Sequence, residues 1–154
     1  MRYTLPLVLA ALLVLPAQAG AMIQVDKGIA GARLDNTQAQ VKAALGAPAH
    51  EKTGSNDFGT FRQFIYAGGL RVFFQGDAKV TSVATSGLGD RTSKGVGVGS
   101  TEASVKSKVP GVKCETIAGT RSCHTGDFSA GERVTDFLIK KGKVTRVTVG
   151  FVLD

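Results

Sequence analysis

The chain of 154 residues has no tryptophan, two cysteines, two histidines and only 6% aromatic residues. So few soft or imidazole ligands leave little room for a metal centre. Cys114, Cys123 and His124 could together approach one, but the sequence offers no fourth ligand for a closed zinc site. Nucleophilic catalysis of the triad kind needs a histidine beside a nucleophile and an acid. His50 and His124 are the two histidines, and both read as surface residues. The carboxylates Asp35, Glu102, Asp127, Glu132 and Asp136 are scattered without an acid/base pairing, and Glu102 falls in a helix's first turn, where the dipole accounts for it. The glycine-rich stretch Gly95-Val96-Gly97-Val98-Gly99-Ser100-Thr101 lacks the Gly-Lys-Ser/Thr ending of a phosphate loop, and its third glycine is misplaced for a dinucleotide fingerprint. The expectation is no catalytic residue, no metal and no cofactor.

What the chain does have begins at its N-terminus. Arg2 is followed by an apolar run, Leu5–Leu15, broken by Pro6, and then by the small-x-small pattern Ala17-Gln18-Ala19. This reads as a cleavable signal peptide over residues 1–19, with Gly20 starting the mature chain. The run is shorter than the ~20 apolar residues a membrane-spanning helix needs, so the mature chain is expected not to span a membrane. No cysteine stands at the cut to carry a lipid. The protein is expected to be exported, to the periplasm or beyond the cell. The formal net charge is +7, or +6 once Arg2 leaves with the signal. The basic residues are spread along the chain, which suits a solvated surface better than a nucleic-acid site, and export argues the same way. In an oxidising compartment Cys114 and Cys123 are expected to pair. With Ala118-Gly119 as a turn, Ile117 meets Thr120 and Cys114 lies opposite Cys123 in a non-hydrogen-bonded pair, where two backbones come closest. A longer loop would also serve.

Sliding the chain by 64 places aligns two halves without a gap, so that residues 20–90 and 91–154 read as two copies of one unit. Gly31 meets Gly95, Thr37 meets Thr101, Val41-Lys42 meets Val105-Lys106, Phe73 meets Phe137, and Lys79-Val80-Thr81 meets Lys143-Val144-Thr145. Each half reads as a glycine loop, a threonine N-cap, a short amphipathic helix stopped by glycine and proline, and then strands. Thr37 with Gln40 fits a capping box. Gly68-Gly69 reads as a two-residue hairpin turn, and Lys140-Lys141-Gly142 as a three-residue one that sets Asp136 opposite Arg146.

These residues, the Thr-x-Ala-x-Val-Lys helix and the strand ending Lys-Val-Thr-x-Val in particular, resemble the β-lactamase inhibitory protein family and the related SmpA/OmlA (BamE-like) envelope domain. The resemblance spans nearly all of the mature chain. It implies an α+β fold: a tandem repeat of short helices (helix-loop-helix) and antiparallel strands, whose two copies form one extended sheet with helices on one face. It also implies that the concave opposite face grips a protein partner. At Cys114 and Cys123 the first half has His50 and Gly59 instead.

Alternation along the strands sets Phe137, Ile139, Val147, Val149 and Phe151, with Phe73 and Val83, on the face assigned to the helices. The other face, expected to bind a partner, carries Leu70, Val72, Phe74, Val80, Val134, Leu138 and Val144, with Asp136 and Arg146 among them. An open sheet face this apolar is covered or adhesive. The function expected is that of an exported, non-catalytic protein-binding module, an inhibitor of an exported enzyme being one form of it. A structural or assembly protein of the cell envelope is the alternative.

Overall fold

Thr37 and Thr101 decide where the two α-helices of the described residues begin. The Thr37 hydroxyl accepts the Gln40 amide at 3.3 Å, and the Gln40 side chain accepts the Thr37 amide at 2.8 Å, a complete capping box. The helix α1 (Gln38–Leu45) then runs to Gly46, whose φ of 80° suits a residue without a side chain. Thr101 caps α2 (Glu102–Lys108) through the Ser104 amide at 3.2 Å. Each helix buries one valine completely, Val41 and Val105. Neither is long and apolar enough to cross a membrane.

The computed structural model describes residues 20–76 and 78–153. The expected signal peptide, residues 1–19, lies outside them. The expected α+β tandem helix-loop-helix architecture is not what forms. The fold is mostly β, 47% strand against 14% helix, with the strands in two sheets. No helix-loop-helix pair occurs among the described residues, because each short helix is followed by a long run of strand. Sequence periodicity located the helices and gave them too large a share of the architecture.

The large sheet has eight antiparallel strands: β4 (His50–Asn56), β5 (Gly59–Ile65), β6 (Arg71–Gln75), β7 (Ser82–Thr85), β9 (Lys113–Ile117), β10 (Thr120–His124), β11 (Arg133–Lys140) and β12 (Lys143–Phe151). Their order across the sheet is β4-β5-β6-β7-β12-β11-β10-β9, so the strands after α1 and those after α2 meet edge to edge at β7 and β12. The smaller sheet has the order β3-β2-β1-β8, from β3 (Ala32–Arg33), β2 (Gly28–Ile29), β1 (Met22–Gln24) and β8 (Arg91–Thr92).

Cross-strand neighbours point to the same face, so the register tells which side chains share a layer. One row runs Phe64, Val72, Val83, Val149, Thr135 across β5, β6, β7, β12 and β11. A second runs Thr85, Val147, Phe137, Cys123, Cys114 across β7, β12, β11, β10 and β9. Except for the half-buried Cys114, every member of both rows is buried. The small sheet and both helices cover this face: Ile23, Ile29, Val41 and Val105 join the same core, and β2 touches β7 and β12. Phe64 and Phe74 meet edge to face at 4.8 Å between ring centres. The segments ahead of the helices are tied to the sheet in matching ways. The Asp35 amide bonds to the Val80 carbonyl and Val80 returns a bond to Asn36, just as Gly99 bonds to Val144 and Val144 to Ser100.

Candidate binding groove

The opposite face of the large sheet has neither helix nor strand over it among the described residues. Its rows are read from the same register. One runs Arg71, Ala84, Thr148, Asp136, His124, Lys113, a second Gln63, Phe73, Ser82, Gly150, Val134, and a third Arg146, Leu138, Ser122, Glu115. This face is hollowed into two adjoining depressions. The first holds about 550 Å³ over β6, β7, β12 and β11, and its floor and walls include Arg71, Phe73, Ser82, Leu138, Arg146 and Thr148. The second holds about 460 Å³ towards β9 and β10, between Ile117, Phe128, Val134, Asp136, Phe151 and Val152. Ser82, Arg146 and Thr148 line both, so the two are halves of one groove.

Of the residues expected on this face, Val134, Asp136, Leu138 and Arg146 line the groove. Leu70, Val72, Phe74, Val80 and Val144 do not: all five are buried in the core on the helix side. Phe73, assigned to the helix side, faces the groove and stacks on Phe61 at 5.0 Å. The error is one residue long. At the spacing of 64, Phe73 matches Phe137, yet Val72 is the residue opposite Val83, as Phe137 is opposite Val147. A shift of one residue moves every side chain of a strand to the other face. Val144 changes face for a related reason. A bulge between Leu138 and Ile139 lets Arg146 pair with Leu138 and Val144 with Ile139, leaving Thr145 as the extra residue. The same bulge, with a tight turn at Lys141-Gly142 (φ of 50° and 74°), puts Asp136 opposite Thr148, with Arg146 diagonal to it. Nor is Gly68-Gly69 a two-residue turn: a 3-10 turn over Ala67–Gly69 joins β5 to β6.

Asp136 is the chemically unusual group of the groove. Burial raises its carboxyl pKa, against the opposing effects of a hydrogen bond with Ser122 and of the nearby His124 and Arg146. Its buried Oδ1 has no hydrogen-bond partner among the described residues. His124 is not a surface residue as expected but 2% exposed. Its Nε2 lies 2.8 Å from Glu115, its Nδ1 lies 3.1 Å from the Gly126 carbonyl, and Phe128 packs on the ring at 4.1 Å. Both ring nitrogens are thereby engaged.

Cys114 and Cys123 are joined, directly opposite each other on β9 and β10, with Ile117 opposite Thr120 and the turn at Ala118-Gly119. The Glu102 carboxylate lies within 4.8 Å of both sulfurs. A disulfide has no thiolate to give a metal, and Glu102 is already engaged by Arg121 at 2.5 Å and Lys106 at 2.7 Å. Those two cations hold its carboxyl down to about 2.

Sequence reasoning missed Arg71, Phe73, Ser82, Lys140 and Thr148. The signal was present in β6: Arg71 and Gln75 are polar and share the parity of Phe73, which makes 71, 73 and 75 the solvent side.

No family model matches this chain, and no curated protein matches it. Its fold does resemble solved structures. An extracellular protein containing an SCP domain from Bacillus anthracis superimposes with a TM-score of 0.53 at 10% identity, over 77% of this chain and 44% of that one. The uncharacterized protein yfeY from Escherichia coli gives a TM-score of 0.53 at 14% identity, over 85% of this chain and 99% of its own. This chain therefore spans less than half the length of the first and nearly all of the second. Neither is a β-lactamase inhibitory protein or an SmpA/OmlA domain. At such identities the likeness is one of fold.

Proposed function

We propose that the protein is an exported, non-catalytic binding module that holds a partner protein in the groove of its eight-stranded sheet. The observation that carries this reading is the asymmetry of the sheet. One face is closed by two helices and a second sheet, while the other is left open and keeps Phe73, Leu138, Ile117 and Phe128 at a hollow of two adjoining halves. Ile117 and Phe128 are 52% and 36% exposed, an expenditure of apolar surface that a partner would recover. Export is supported by the leader-like residues 1–19 and by the disulfide, since such bonds persist in oxidising compartments. The extracellular description of the Bacillus anthracis neighbour is compatible with it. Inhibition of an exported enzyme is one form this binding can take.

The test is capture of partners from the host's envelope and medium by the wild-type protein and by Ala84→Trp. Ala84 lies on the groove face between Arg71 and Thr148 and lines the larger half, so an indole there projects into that hollow and away from the core. Proteins retained by the wild type should be lost with the variant. Equal retention by both would exclude the groove as the binding surface.

A further inference from the structure

The charged side chains around the larger half of the groove are of one sign. Arg71, Lys140 and Arg146 line it, and no carboxylate does. All three are exposed, and none makes a salt bridge among the described residues. Elsewhere on the surface Lys42, Arg62, Lys106, Lys113, Arg121 and Arg133 are each paired with an acid. The same lining carries the hydroxyls of Ser82, Ser86, Thr145 and Thr148. The adjoining half shares Arg146 and adds the Asp136 carboxyl, and is otherwise more apolar, with Ile117, Phe128, Val134, Phe151 and Val152.

We infer that the groove receives an acidic segment of the partner protein, its carboxylates between Arg71, Lys140 and Arg146 and an adjacent apolar side chain in the hollow beside Ile117 and Phe128. This deepens the protein-binding reading above and rests on it. Guanidinium groups bind carboxylates with two parallel hydrogen bonds, and hydroxyl donors complete the oxygens' coordination. Opposite charge across an interface raises the association rate and rejects basic surfaces. A long anionic polymer fits less well, because Arg71 and Lys140 line only the larger half and the groove continues into a hollow that is mostly apolar.

Panning a random dodecapeptide display library on the purified protein tests this. Peptides enriched in Asp and Glu next to an apolar residue are expected, with synthetic examples binding at least tenfold more weakly to R71Q/R146Q and more weakly as salt rises. The charge-reversed R71E/R146E should select basic peptides instead, which also shows that it is folded. Dextran sulfate serves as the polymer probe; binding that matches the peptides in strength and in sensitivity to R71Q/R146Q would overturn the inference in favour of a polyanion. Peptides lost with Ala84→Trp but showing no acidic preference would overturn the inference and leave the groove as a binding surface. Peptides indifferent to Ala84→Trp would overturn both.

Discussion

Leu138→Lys and Val144→Lys place the same side chain on the β11–β12 hairpin, on opposite faces of one sheet, and should differ sharply in stability. Val144 is 1% exposed and packs in the core. Losing its burial costs about 1.5–3 kcal/mol. A lysine there must also be kept neutral or be desolvated, and holding an amine of ordinary pKa ~10.4 neutral at pH 7 costs roughly 4–5 kcal/mol. The sum, above about 5 kcal/mol, is comparable to the whole stability of an ordinary domain, about 5–15 kcal/mol. Leu138 instead lines the groove, where the methylenes of a lysine can lie along the sheet with the ammonium in water, at a cost of about 1 kcal/mol or less. With no tryptophan to report unfolding, urea titration followed by far-ultraviolet circular dichroism is the assay. At a slope of about 1–3 kcal/mol per molar urea, Leu138→Lys should move the midpoint by less than about 1 M. Val144→Lys should be largely unfolded before urea is added. Equal midpoints, or the reverse order, would refute the assignment of faces.

Three further outcomes follow from the same geometry. The cysteines are nine positions apart, so opening the disulfide should cost about 3 kcal/mol by the loop-entropy relation; melts with and without reductant read this as a drop of roughly 10 °C, and an unchanged melt would contradict it. Asp136 has its pKa raised by burial, so the folded state holds a proton that the unfolded state releases. Its contribution therefore falls as pH rises from its ordinary value through the raised one, and Asp136→Asn should flatten this part of the stability curve, whereas a steeper curve would count against it. Glu102 is lowered to about 2 by Arg121 and Lys106, so its stabilisation is present above the ordinary carboxylate range and is lost as pH falls towards 2. Glu102→Gln should weaken the protein at neutral pH and not at pH 2, which acid titration of both proteins would show.

Much of the secondary structure was legible, because local chemistry specifies it. The Thr37 capping box, the Ala118-Gly119 turn and the pairing of Cys114 with Cys123 each depend on residues a few positions apart. The fold class was not legible, since α1 and α2 bury one valine each and leave most of the core to strands. The groove was half legible for a sharper reason. In β11, Val134, Asp136 and Leu138 alternate cleanly with Thr135, Phe137 and Ile139, and parity alone placed them. In β6, Val72, Phe73 and Phe74 are consecutive apolar residues, so polarity had to be read from Arg71 and Gln75 at the ends. The bulge after Leu138 leaves no mark in composition, and it decides on which face Val144 lies. The position of Arg71 beside Arg146 depends on β7 meeting β12, a contact between distant parts of the chain.

The central claim is that the open face of the large sheet is the surface that holds a partner. Photo-crosslinking tests it most directly: p-benzoylphenylalanine replaces Ser82 or Thr148 in the groove, or Ser107 on α2, and the protein is irradiated in its own host. A crosslinked protein from both groove positions and none from Ser107 is the predicted result. A crosslink from Ser107 with none from Ser82 or Thr148 would contradict the account.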